Sequence, residues 1–160
     1  MVTDATTDSD SLTISISTEL DASPERVWEF WQDPRLLEKW WGPPGYPATF
    51  VEHGLEAGDR VSYFMTGPDG QKYHGWWEVT SAEKPRRIEF RDGFADDSGR
   101  ANEEMPTNIS VVTIEAGEDG ATTRMTVAGT YPSREDMDKV LEMGALEGMT
   151  MAMNQIDDLL

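Results

Sequence analysis

Few side chains in this 160-residue sequence can move a proton near neutrality. The two histidines, His53 and His74, are the only groups whose ordinary titration falls there. His74 follows the turn GPDG and reads as exposed, whereas His53 ends a strand beside GLEAGD and is either a surface group or an acid/base at a pocket rim. Tyr63 and Glu78 join His53 as weak candidates for proton transfer, because an apolar pocket raises a carboxyl pKa. None is assigned a catalytic role outright. The chain has no cysteine, no HxH and no HExxH, so neither a metal site nor a cofactor is expected. No nucleophile elbow, phosphate loop or dinucleotide fingerprint occurs, since GPDG and GEDG are turns and the glycines of GALEG are close-packing points on a helix.

What stands out instead is soft, aromatic surface: nine methionines and six tryptophans. In WWGPPG, Trp40 and Trp41 sit about 100° apart on a helix, so one can enter a core while the other points elsewhere. Trp76 and Trp77 pose the same choice on a strand, where neighbours point to opposite faces; with Gly75, Trp77 and Val79 inward, Trp76 is left outside. The candidate ligand-binding set is Trp40, Trp41, Tyr63, Trp77, Phe90, Met125, Gly148, Met149 and Met153, whose aromatic faces and thioethers suit varied apolar shapes. For each of them ordinary core packing is the competing reading.

These residues need elements to position them. LTISISTEL alternates as a half-buried strand, and SPERVWEFW opens a short helix with Ser23 as N-cap and Pro24 at its first position. Asp33-Pro34 starts a second short helix that Gly42 and two prolines end. The middle is a run of antiparallel strands separated by GLEAGD, GPDG and GEDG, with a long acidic loop at 94–106. In EKPRRIEFRDG, Ile88 and Phe90 share one face while Arg87, Glu89 and Arg91 share the other. From Ser133 onward, Met137, Leu141, Gly144, Ala145, Gly148, Met149, Ala152, Ile156 and Leu159 form one broad apolar arc, which predicts a single long C-terminal helix. The fold class is therefore α+β: a curved antiparallel sheet of six to seven strands, two short helices after the first strand, and a long terminal helix across the concave face.

The length suits one domain at 11–160, preceded by a disordered acidic lead-in at 1–10. With 31 acidic against 13 basic residues, nucleic acid and anionic membrane are not expected as partners. No segment reads as a membrane span or signal peptide, and the absence of cysteine fits a reducing compartment, so a cytoplasmic location is expected.

SPERVWEFW, EKWWGPPG, GPDG, GWWEV, DGFADDSGRANEEMPT and LEMGALEGMTMAMNQIDDLL together resemble single-domain proteins related to the activator of the heat-shock-protein-90 ATPase, within the START-like, birch-pollen-allergen-like helix-grip superfamily. The resemblance covers about residues 12–160 and implies a seven-stranded sheet gripping the last helix, with a cavity between them. Many relatives have Gly-Trp where this chain has Gly148-Met149, which implies a differently shaped pocket there. The superfamily includes lipid carriers, receptors and cyclases, so fold alone assigns no activity. The expected function is a binding protein for a small apolar or aromatic molecule held between sheet and terminal helix. A cyclase- or hydrolase-like enzyme using the same cavity and an acidic, co-chaperone-like interaction domain are the alternatives, and a homodimer is a candidate assembly.

Overall fold

A computed structural model describes all of residues 1–160. Eight antiparallel strands form one sheet: β1 (Val2–Asp8), β2 (Thr13–Leu20), β3 (Ala48–Glu52), β4 (Arg60–Thr66), β5 (Lys72–Glu83), β6 (Arg87–Phe94), β7 (Asn108–Ala116) and β8 (Thr123–Thr130). Their spatial order is β1-β2-β8-β7-β6-β5-β4-β3. Between β2 and β3 lie α1 (Pro24–Gln32) and α2 (Pro34–Leu37), capped by Ser23 and Asp33 side chains. After β8 come α3 (Arg134–Glu142), α4 (Ala145–Asn154) and a 3-10 turn, Gln155–Leu159.

The strand count exceeds the expected six to seven, and the difference lies at the chain start. Residues expected to form a disordered lead-in include β1, which pairs with β2 from Val2 opposite Thr18 to Asp8 opposite Thr13. Its side chains are almost all exposed, so it carries no apolar alternation for a sequence reading to detect. Backbone pairing holds it, and the Val2 N–H also donates to Asn154 Oδ1 at 2.7 Å.

The second correction concerns the terminal helix, which is broken instead of continuous. Gly144 adopts φ 85°, a left-handed conformation that ends α3 and redirects the chain into α4. The break lets two helices serve two clusters. Met137 and Val140 of α3 pack with Ile14 and Tyr131, whereas Ala152 and Met153 of α4 are fully buried, Met153 within the main core.

That core is unusually aromatic. Trp31 meets Trp40 edge to face at 4.9 Å, Trp41 meets Trp77 at 4.8 Å, and Trp77 stacks on Phe90 at 4.3 Å between ring centroids. Such pairs add about 0.5–1.5 kcal/mol each beyond their buried area. On the opposite face of the sheet, Trp76 lies over Gly93, where any Cβ would collide with its indole, and it donates to the Phe94 carbonyl at 3.1 Å.

Candidate functional site

A pocket of about 320 Å³ lies between the sheet and the C-terminal helices, at the small end of the roughly 300–1,000 Å³ usual for small-molecule sites. Its helical wall comes from Val140 of α3 and from Ala145, Gly148 and Met149 at the start of α4. Ile14 and Ile16 of β2 and Val127 of β8 supply apolar floor, and Trp41 and Pro43 bring the WWGPPG elbow to one side. Gly148 faces open space, since a Cβ built there meets no atom within 4 Å.

Of the nine residues read from the sequence as ligand-binding, four meet at this pocket: Trp41, Tyr63, Gly148 and Met149. The other five, Trp40, Trp77, Phe90, Met125 and Met153, are fully buried in the core and do not line it. The tryptophan doublet divides accordingly. Trp40 donates its indole N–H to the Phe30 carbonyl at 3.1 Å, while Trp41 forms pocket wall with an indole N–H that has no partner. Trp77 Nε1 is likewise unpartnered. Both indoles approach the Tyr63 hydroxyl closely enough to favour its ionised form, but burial and the charge of Asp92 dominate and push the Tyr63 phenol well above its ordinary value.

The three weak proton-transfer candidates separate too. Tyr63 lines the pocket and lies across Gly75, whose Cβ would clash with the phenol ring. His53 is half-buried elsewhere, with Nε2 2.9 Å from the Trp31 carbonyl oxygen, and burial lowers its pKa. Glu78 is exposed and pairs with Arg91 at 3.6 Å, on the face of the sheet away from the pocket.

A carboxylate that the sequence reading missed stands in the pocket wall. Asp92 on β6 is the register partner of Trp77 on β5 and of Asn108 on β7, so it shares their inward face. Burial pushes its carboxyl up to about 7, against the opposing effects of the Asn108 side chain and the Gly93 N–H. The alternation that puts Ile88 and Phe90 inward continues to Asp92, which is the signal that could have found it. Asn108 accepts from Ser110 Oγ at 2.7 Å and donates to the Tyr131 hydroxyl at 3.4 Å. Gly129 makes room for this row, since a Cβ there would lie 3.2 Å from Asn108 Oδ1. Burial, with the charge of Asp92, also raises the Tyr131 phenol well above its ordinary value. The site is therefore an apolar pocket with one polar stripe, Asp92, Asn108, Ser110 and Tyr131, on the sheet side.

The family model for Activator of Hsp90 ATPase homolog 1-like protein matches residues 21–160. The chain belongs to this family. It is 48% identical to protein Ms6760 from Mycobacterium smegmatis, with a TM-score of 0.92, covering 100% of this chain and 97% of that one. A protein from Arthrobacter aurescens is 46% identical with a TM-score of 0.93, covering 98% and 90% respectively. DynU16, described as a putative protein in the dynemicin biosynthetic locus, shares the fold at 20% identity and a TM-score of 0.63; the match covers 91% of this chain and 47% of DynU16. No curated protein matches the chain. The α+β fold with one antiparallel sheet and C-terminal helices is the arrangement that membership in this family implies, and no helix is long and apolar enough to cross a membrane.

Proposed function

We propose that this member of the family is a binding protein for a small, largely apolar or aromatic molecule held between the sheet and the C-terminal helices, acting in the cytoplasm. The observation that carries this reading is the conjunction of Trp41, Tyr63, Met149 and the open space at Gly148 around one pocket. A core evolved for packing alone fills such space, because interiors approach crystal-like density. Adaptable thioether and rigid indole surfaces lining an unfilled volume suit a guest molecule.

Native mass spectrometry of the purified protein, combined with titration of the apolar dye ANS, tests the proposal and reads the oligomeric state at the same time. Retention of a small molecule, or dye binding lost on Gly148→Leu, is the expected result. Dye binding unchanged in a folded Gly148→Leu protein would place any guest elsewhere. An enzymatic reading of the same pocket is favoured by one observation only, the inward carboxyl of Asp92 with a pKa of about 7, close to that of an effective general base at neutral pH.

A further inference from the structure

We propose that Asp92, Asn108 and Tyr131 form the anchor for a phenol- or enol-type hydroxyl group on that guest, the hydroxyl donating to Asp92 while its oxygen accepts from a neighbouring donor. The inference rests on the pocket reading above and names the ligand class. Its first support is the unmet hydrogen-bonding capacity of the wall. An ionised carboxylate offers about four acceptor positions, more than the Asn108 side chain and the Gly93 N–H beside Asp92 can fill. No cation pairs with it; the adjacent Arg91 points to the other face and meets Glu78. A carboxylate in such surroundings gains from any donor brought to it.

The second support is independent and lies in the donor. Trp41 lines the pocket, but its buried indole N–H lies beside the Tyr63 hydroxyl, so the free donor of the wall is Tyr131. The Tyr131 hydroxyl accepts from Asn108 and keeps its own O–H free to donate. The wall thus offers an acceptor at Asp92 together with a free donor at Tyr131. A hydroxyl satisfies both, whereas an ammonium ion has no lone pair for the donor and a hydrocarbon has nothing for either. The aromatic body that makes a hydroxyl a good donor is also what the indole of Trp41 and the thioether of Met149 would contact.

Three probes of nearly equal shape test this: naphthalene, 2-naphthol and 2-methoxynaphthalene, titrated by fluorescence against the full chain. The expected order in the unaltered protein at pH 8 is 2-naphthol tighter than the other two by about tenfold or more, the usual effect of a hydrogen bond to a charged group. The groups facing Asp92 that titrate are Tyr63 on β4 and Tyr131 after β8; the helical wall and β2 contribute none. Both phenols stay protonated through neutrality, so the preference should follow Asp92 alone. Below about pH 7 the protonated acid can donate to either oxygen, and the ratio of 2-naphthol to 2-methoxynaphthalene affinity should fall. In Asp92→Asn the ratio should be small and independent of pH, with naphthalene binding retained as the sign of an intact pocket. Equal affinities for the three probes, a preference that persists in Asp92→Asn, or tighter binding of a naphthylmethylammonium ion would overturn the assignment while leaving the pocket reading in place. Failure of all three probes to bind the unaltered protein would remove the pocket reading and the anchor with it.

Discussion

The Gln155 side-chain amide donates to the Gly42 carbonyl at 2.7 Å, joining the last turn of the chain to the WWGPPG elbow. The same nitrogen lies 3.2 Å from the Trp40 carbonyl. Two carbonyls freed where Gly42 and the prolines end the helical turn are thereby satisfied by a residue 113 and 115 positions away from them. The elbow that carries Trp41 into the pocket wall is held from the C-terminal end.

Replacing Gln155 with Met keeps length and removes the amide. The expected cost is about 1–3 kcal/mol, the range for a polar group left without its partner, read as a lower denaturation midpoint. Because the clasp positions the Trp41 wall, ANS affinity should fall as well. A variant with unchanged stability and unchanged dye binding would show that the elbow keeps its place without the clasp.

The tryptophan doublet gives a second comparison. Trp40→Phe removes a hydrogen bond to the Phe30 carbonyl in the core, whereas Trp41→Phe removes an N–H that has no partner. Trp40→Phe should therefore be the more destabilising by about 1 kcal/mol or more in urea unfolding. Trp41→Phe should show its main effect on dye affinity. Equal losses in both variants would mean that cavity formation outweighs the hydrogen bond.

Two glycines of the C-terminal segment should respond with opposite signs. Gly144 has φ 85°, where an L side chain costs about 1–2 kcal/mol, so Gly144→Ala should lower the midpoint. Gly148 lies inside α4 with open space where its Cβ would stand, so Gly148→Ala should raise stability by about 0.5–1 kcal/mol through helix propensity. Stabilisation by both would indicate that the break between α3 and α4 is not fixed by Gly144.

The sequence periodicities identified faces more reliably than depth. Alternation placed Trp77 and Phe90 inward and Trp76 outward, and the helical arc placed Gly148, Met149 and Ala152 on one side. Neither pattern could show that Met153, one turn along the helix from Met149, is fully buried in the core while Met149 forms pocket wall. The strand β1 was illegible because its support is backbone pairing along an edge with exposed side chains on both faces. The break at Gly144 was hidden by an apolar arc that runs across it, since composition on one face says nothing about whether a glycine inside it takes positive φ. Asp92 was overlooked for a chemical reason: a charged residue in FRDGF reads as surface, although its parity with Ile88 and Phe90 puts it inside.

That carboxyl makes the sharpest prediction. Burial raises the Asp92 pKa in the folded chain from an ordinary 3.8 to about 7. Below the unfolded value both states hold the proton, and stability from this group is complete. Between about 4 and 7 the unfolded chain releases its proton while the folded chain retains it, so stability falls as pH rises, and the loss levels off above the folded pKa. Asp92→Asn keeps the shape and cannot ionise. The variant should be closest to the unaltered protein near pH 4 and more stable than it at pH 8, with the gap opening between those values. Self-repulsion of a chain carrying a formal net charge of -18 also weakens the fold as pH rises, but it acts on both proteins and cancels in their difference. Urea midpoints measured for the pair across that range check the argument. A constant difference at every pH would mean that Asp92 titrates as an ordinary solvated carboxylate.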